Sequence, residues 1–481
     1  MRMYLRVAIA FVFFPFLVNA QAPDKAVKID QLARQYADCC DFTGTVLVSE
    51  HDKVIFKSGY GLANREWNIP NAPDVKFRLG SITKQFTSML IMQQVTKGTI
   101  KLDGHISDYL PYYRRDTGSR VTITQLLDHT SGIPSYTDDP KFFPDVSRKY
   151  YAVDDFVTKF CSGDLQFEPG SKFHYDNSGY FLLGAILEHI TGKNYEVLLQ
   201  ENILTPVGMH DTGYDHWSTI IPKRASGYEE TFDGIENAPY LDMALAYAAG
   251  SLYSTVEDLY KWDQALYTDK LLPADLKQKL FTTNLENYGF AWVIRNIPKD
   301  EPGAGKTIIA HGGGINGFNT NEVRLVDDHD LIVIFNNTPG ASLNDFAKGI
   351  RAILYGQEPV APKRPLIRDL RGIARNQGVD AAITQYKGLK AANSPQYEFN
   401  ENALNRLGYD LLDKDRVSDA ITIFKLNVEE YPKSANVYDS LGEAYAKADN
   451  KQLAIESYKH SLELDPKNQS AIDHLKELEK P

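Results

Sequence analysis

Ser81 and Lys84 stand three residues apart in "FRLGSITKQFTSML", where an extended run gives way to a helical one. Ser81 is the one serine in the chain with a lysine at the third position after it. On a helix that spacing brings both side chains to one face. A serine hydroxyl is a weak nucleophile until a base takes its proton. A lysine sheltered from water can lose its own proton near neutrality, because desolvation disfavours the ammonium. The pair thus has the makings of nucleophile and base, although alone it also fits a helix cap followed by a solvated lysine. Two further stretches bear on the choice. "FHYDNSGYFLLGAILEHITG" sets Tyr175, Asp176 and Asn177 on a loop ahead of an apolar helix, and "IIAHGGGINGF" sets His311, Gly312 and Gly313 at the end of a strand.

Competing chemistries lack their residues. There is no G-x-S-x-G turn of the α/β-hydrolase kind and no H-E-x-x-H or Cys/His cluster, and the 11 histidines are scattered. The glycines from Gly312 to Gly314 are neither a Walker A loop nor a dinucleotide fingerprint. No metal and no organic cofactor are expected. A net charge of -11 without a basic patch excludes nucleic acid as a partner and leaves small-molecule or peptide substrates.

The elements that must position these residues can be read from periodicity. Residues 24 to 38 carry a helical pattern, and "TGTVLVSEHDKVIFKSGYG" reads as two strands around a turn at Glu50 to Lys53. A long, mainly helical middle runs from 81 to about 270. Within it "STVE" reads as a capping box in which Ser254 and Glu257 reciprocate. Then "KTIIAHGG", "FNTNEVRLV" and "DLIVIFNN" are strand-like, and "SLNDFAKGIRAILYG" is a helix opened by Ser342. Strands at both ends with helices between imply an α/β (α+β) domain: one antiparallel sheet flanked by helices, its ends meeting, with a helical lobe inserted.

With the three motifs in this order, the chain resembles serine hydrolases of the penicillin-binding-protein and class C β-lactamase type, with their related esterases and D-amino-acid peptidases. In that family S-x-x-K, Y-x-N and a K-T-G or H-x-G strand motif meet in one cleft. "LLDHTSGI", "FEPGSKFHYDNSGY" and "GSLYSTVEDLYKW" also look like the family's stretches, so the resemblance covers roughly residues 30 to 355. It implies Ser81 as the acylated nucleophile, with Lys84 and Tyr175 sharing the base work. Asn177 would bond the substrate amide or hold Lys84. The N–H groups of Ser81 and Gly314 would form the oxyanion hole, with Gly313 and His311 lining the substrate strand. His311 stands where many relatives carry lysine, which moves weight from carboxylate-bearing substrates toward esters, amides and D-amino acyl peptides. The usual small polar middle residue of Y-x-N is here Asp176. Facing Lys84 it would keep the amine charged, and facing outward it would favour a cationic substrate.

The ends of the chain differ in kind. "MRMYLRVAIAFVFFPFLVNA" reads as a signal peptide (1–20) cleaved after Ala20, so export to the periplasm or medium is expected, with no membrane span after cleavage. The hydrolase domain would occupy 21–356. A Pro-rich linker with Pro359, Pro362 and Pro365 follows (357–366), and then a helical region (367–481). There Leu407 and Gly408, Ala420, Phe424 and Pro432 return 34 residues later as Leu441 and Gly442, Ala454, Tyr458 and Pro466. These clear repeats, about 404–437 and 438–471, resemble tetratricopeptide repeats, an all-α solenoid that binds a protein partner or merely packs on the domain before it. The repeats and Asp176 motivate an alternative function, a slow-acylating or inactive penicillin-binding sensor or scaffold. Of the three cysteines, Cys39 and Cys40 are neighbours, which rarely bridge each other. Pairing of either with Cys161 is left open.

Overall fold

The structure is a computed structural model that describes residues 24–480, and the signal peptide expected over 1–20 lies outside them. Among the described residues no helix is long and apolar enough to cross a membrane.

Six antiparallel strands form the central sheet: β1 (Gly44–Glu50), β2 (Lys53–Tyr60), β3 (Val293–Asn296), β4 (Thr307–Ile315), β5 (Phe318–Leu325) and β6 (Asp330–Asn336). Their order is β3-β4-β5-β6-β1-β2, so the first strand of the chain lies beside the last. Gly44 faces Asn336 and Ser49 faces Leu331 in that central pairing. The edge strand β3 carries no strong period of its own in the sequence, and only its neighbours reveal it. Strand alternation divides the core in two. Val46, Val48, Ile332 and Ile334 pack under the terminal helices Lys25–Cys40 and Leu343–Leu354. Leu47, Leu331, Val333 and Phe335 pack on the opposite side against the helical lobe, with Phe86 and Trp262 stacked 4.4 Å apart behind them.

Three local details differ from the sequence expectations. Cys39 and Cys40 are joined to each other by a disulfide. Pairing with Cys161 is ruled out by position, because Cys161 is a free thiol buried in the lobe core while Cys40 belongs to the core on the other side of the sheet. The helix Val256–Leu266 is capped by Thr255, whose side chain accepts from the Asp258 N–H, while Ser254 ends the strand Leu252–Ser254. The cap is displaced by one residue because that strand pairs with Phe77–Arg78 and holds Ser254 in the extended state, and no box closes on it, since the Asp258 carboxylate accepts from the Asp211 N–H, Thr212 and Lys261 instead.

Beyond the domain run seven helices, from Leu366–Asn376 to Gln469–Leu478. The 34-residue period has a contact behind it. A Cβ on Gly408 would fall 2.4 Å from the Phe424 ring, and one on Gly442 would fall 2.7 Å from the Tyr458 ring, so each glycine lets two helices of a hairpin touch. The first helix of this region clamps the β-hairpin Tyr228–Thr231 and Gly234–Asn237. Arg368 pairs with Glu230 at 2.9 Å, Arg371 donates to the Glu230 carbonyl at 3.0 Å, and Arg375 to the Phe232 carbonyl at 2.9 Å.

Candidate active site

Ser81 sits in a single 3₁₀ turn, Gly80–Ile82, that opens the helix Thr83–Thr96. Gly80 takes φ +56°, and a Cβ there would lie 2.8 Å from the Gly314 carbonyl oxygen. Only glycine combines that conformation with that approach, and it brings the serine turn against β4. The Thr320 hydroxyl ties the Leu79 carbonyl to β5 at 2.7 Å. Since β3 pairs only as far along β4 as Ala310, residues 311 to 315 keep one edge free to face the serine.

Lys84 is fully buried one turn along from Ser81. Its Nζ lies 3.1 Å from Ser81 Oγ, 2.8 Å from Asn177 Oδ1 and 2.8 Å from the Ala249 carbonyl. Two of these partners only accept. A neutral amine has two hydrogens and one lone pair, so its hydrogens go to Asn177 and Ala249 and its lone pair meets the Ser81 hydroxyl. Burial lowers the Lys84 pKa to about 7, against the opposing pull of the Asp176 charge. The Tyr175 ring lies 4.9 Å from the amine. Burial also pushes the Tyr175 phenol well above its usual range; its nearby hydroxyl partner Ser81 eases the shift, but no bond of good geometry is formed.

Asp176 does not face outward, which corrects that alternative; nor does it form an ion pair with Lys84, although its charge still favours the ammonium. It is 1% exposed and caps the helix Asn177–Thr191 through the Gly179 N–H, while its other oxygen accepts from Ser131 at 3.0 Å. Its backbone N–H donates to His129 Nδ1 at 3.1 Å. Burial raises its pKa to about 6, with the Gly179 and Ser131 bonds opposing. Cap and turn together fix the loop that presents Tyr175 and Asn177. The Asn177 amide is oriented from its other end, since Nδ2 donates to Thr137 at 2.9 Å.

His311 is 7% exposed. Its Nδ1 lies 2.6 Å from the Gly312 carbonyl, which can only accept, so Nδ1 carries the hydrogen and Nε2 accepts from the Tyr288 hydroxyl at 2.9 Å. Burial, then the nearby Lys84 charge, lower its pKa to about 4, so the imidazole is neutral. Gly313 does not line the cleft as expected. Its Cα turns toward the Leu79 carbonyl, where a Cβ would fall at 1.9 Å, so it seats the serine turn rather than the substrate.

Ser81, Asn177 and Gly314 open onto a cleft of about 100 Å³ whose other walls include Tyr136, Phe142, Phe143, Leu241, Leu245 and Ile315. None of its lining residues is charged. Ala249, Tyr288 and these apolar walls were missed from the sequence. A backbone acceptor leaves no signal, whereas the aromatics of "SYTDDPKFFPDV", packed in a loop bearing two prolines, did offer one.

A family model described as Beta-lactamase matches residues 29–354. A penicillin-binding protein of Bacillus subtilis (strain 168) is 30% identical over 372 residues, covering 72% of this chain and 79% of the relative. The crystal structure of a penicillin-binding protein from Bacillus halodurans superposes with a TM-score of 0.61 at 28% identity, covering 67% of this chain and 99% of that one. A D-amino acid amidase from Ochrobactrum anthropi SV3, solved with L-phenylalanine amide, shares the fold at a TM-score of 0.58 and 24% identity, covering 69% and 97%.

Proposed function

The chain belongs to the Beta-lactamase family, and from that membership as a serine hydrolase we propose that it is exported and works through an acyl-enzyme on Ser81. The observation that carries this reading is the Lys84 amine, buried, with two obligate acceptors taking its hydrogens and the Ser81 hydroxyl 3.1 Å from its lone pair. Lys84 Nζ takes the hydroxyl proton as Ser81 Oγ bonds to the substrate carbonyl carbon and the carbonyl electron pair moves onto oxygen. The N–H groups of Ser81 and Gly314 receive that oxyanion, and such donors are typically worth about 2.7 to 4 kcal/mol each. The C–N or C–O bond then breaks. The leaving amine or alcohol gains the proton from Lys84 through Tyr175, whose un-ionised hydroxyl has no other hydrogen bond to give up. Water repeats the sequence in reverse on the ester and frees Ser81.

The uncharged cleft and the neutral His311 favour a substrate that is apolar around its scissile bond and needs no cation to hold a carboxylate. Esters, amides and D-amino acyl peptides fit that description better than penicillins, and the D-amino acid amidase with the same fold is in keeping with it. Export by cleavage after Ala20, a domain spanning 21–356, a linker at 357–366 and protein-binding repeats over 367–481 belong to the same proposal. The test is intact-protein mass after exposure to a fluorophosphonate, with p-nitrophenyl ester turnover measured in parallel. An adduct on Ser81, and loss of turnover by about three orders of magnitude or more in Ser81→Ala, are expected. An unlabelled Ser81, or undiminished turnover in the variant, would rule the reading out.

A further inference from the structure

We propose that the last helices of the chain carry a site for a divalent transition-metal cation of the zinc class, held by Asp439, Glu443 and His474. Asp439 and Glu443 lie one turn apart on the helix Ala435–Lys447, and His474 lies on the helix Gln469–Leu478. Each offers a ligand atom, and the three atoms lie within 4.8 Å of one another. The imidazole of His474 is the cation-forming side chain that bears on both carboxyls. Asp439 is 7% exposed and its Oδ1 has no hydrogen-bond partner, and among the described residues no lysine or arginine pairs with Asp439 or Glu443.

A second observation points the same way. The Tyr458 hydroxyl is fully buried without a hydrogen-bond partner, and its ring stacks on His474 with centroids 5.3 Å apart. An unpaired buried carboxylate oxygen is costly, and a cation held between Asp439, Glu443 and His474 would relieve it. Two oxygens and one nitrogen suit zinc-class ions, whereas magnesium and calcium seek all-oxygen shells. Bound there, the ion would pin the terminal helix to the repeat before it, because its ligands come from both.

The site is tested on the untagged full-length protein, freed of metal with a chelator and titrated calorimetrically with zinc chloride. One saturable equivalent is expected in the parent. Binding should be weaker by at least about tenfold in Glu443→Gln and in His474→Gln, as for changes that touch a metal's ligand set. Both variants sit at partly exposed positions, and unchanged far-ultraviolet circular dichroism should show them folded. Zinc should raise the melting temperature of the parent more than that of either variant. No saturable binding, parent-like affinity in both folded variants, or magnesium chloride binding as tightly as zinc would each overturn the proposal.

Discussion

Replacing Asp176 by Asn isolates the electrostatics of the Lys84 base. Asparagine caps helices about as well as aspartate, so the Gly179 N–H keeps an acceptor and the loop its shape, and only the charge is lost. The Lys84 pKa falls from an ordinary 10.5 to about 7. At about 1.36 kcal/mol per pH unit, the interior disfavours the ammonium by roughly 5 kcal/mol. Desolvation supplies that term and the Asp176 charge opposes it, so removing the charge must lower the amine pKa further. In the proposed mechanism the neutral amine is the active form. In the parent, kcat/KM should therefore rise with pH through a midpoint near 7 and stand about a hundredfold below its plateau at pH 5. In Asp176→Asn the midpoint should move down by about one pH unit or less, because the carboxylate makes no contact with Nζ and divides its charge between the Gly179 N–H and Ser131. The assay is p-nitrophenyl acetate hydrolysis from pH 5 to 9.5, with folding checked at each end. A limb that stays put, or moves to higher pH, would refute the assignment of the limb to Lys84 and of the opposing charge to Asp176.

Glu322 lies beneath the site with Gln85 Nε2 at 2.8 Å, and burial raises its pKa to about 8. Its folded form thus holds a proton that the unfolded chain releases near pH 4.3, so its contribution to stability is full below that pH and lost as pH rises through 8. Glu322→Gln should be more stable than the parent at pH 8 by up to a few kcal/mol, read from urea midpoints at pH 5 and 8, and an equal pH dependence in both proteins would count against the buried proton. Arg371 is 5% exposed and holds Asp410 through two bonds of 2.6 and 2.8 Å together with the Glu230 carbonyl. Arg371→Ala should cost about 3 to 5 kcal/mol in the helical region, seen as earlier melting, while ester turnover per folded molecule stays within about threefold; a collapse of turnover would show that the clamp reaches the chemistry. Phe143, half exposed on the cleft rim, should matter through substrate size. Phe143→Ala should weaken kcat/KM for a long-chain ester by roughly tenfold or more relative to acetate, the scale of 1 to 3 kcal/mol for apolar pocket contacts, and an equal loss on both esters would dismiss it as a specificity wall.

Local order determined much of this protein. Three motifs in sequence order marked Ser81, Lys84, Tyr175 and Asn177, and alternation of apolar residues gave β1, β2 and β4 to β6, because period and cap chemistry are written in neighbouring residues. The 34-residue recurrence of Gly408 and Phe424 as Gly442 and Tyr458 likewise announced the helical hairpins, since each pair is one repeated contact. Long-range geometry decided the rest. Whether Lys84 is neutral depends on the Ala249 carbonyl and on burial by residues far along the chain, neither of which has a local signature. Asp176 became a helix cap, with its charge reaching Lys84 only at a distance, because Ser131 and the Gly179 N–H converge on it. Cys39 found Cys40 while Cys161 stayed alone because the sheet lies between their two cores. Sequence fixes which groups exist and how close neighbours face; solvation and convergence, which set their charge and reactivity, arise only when distant segments exclude water together.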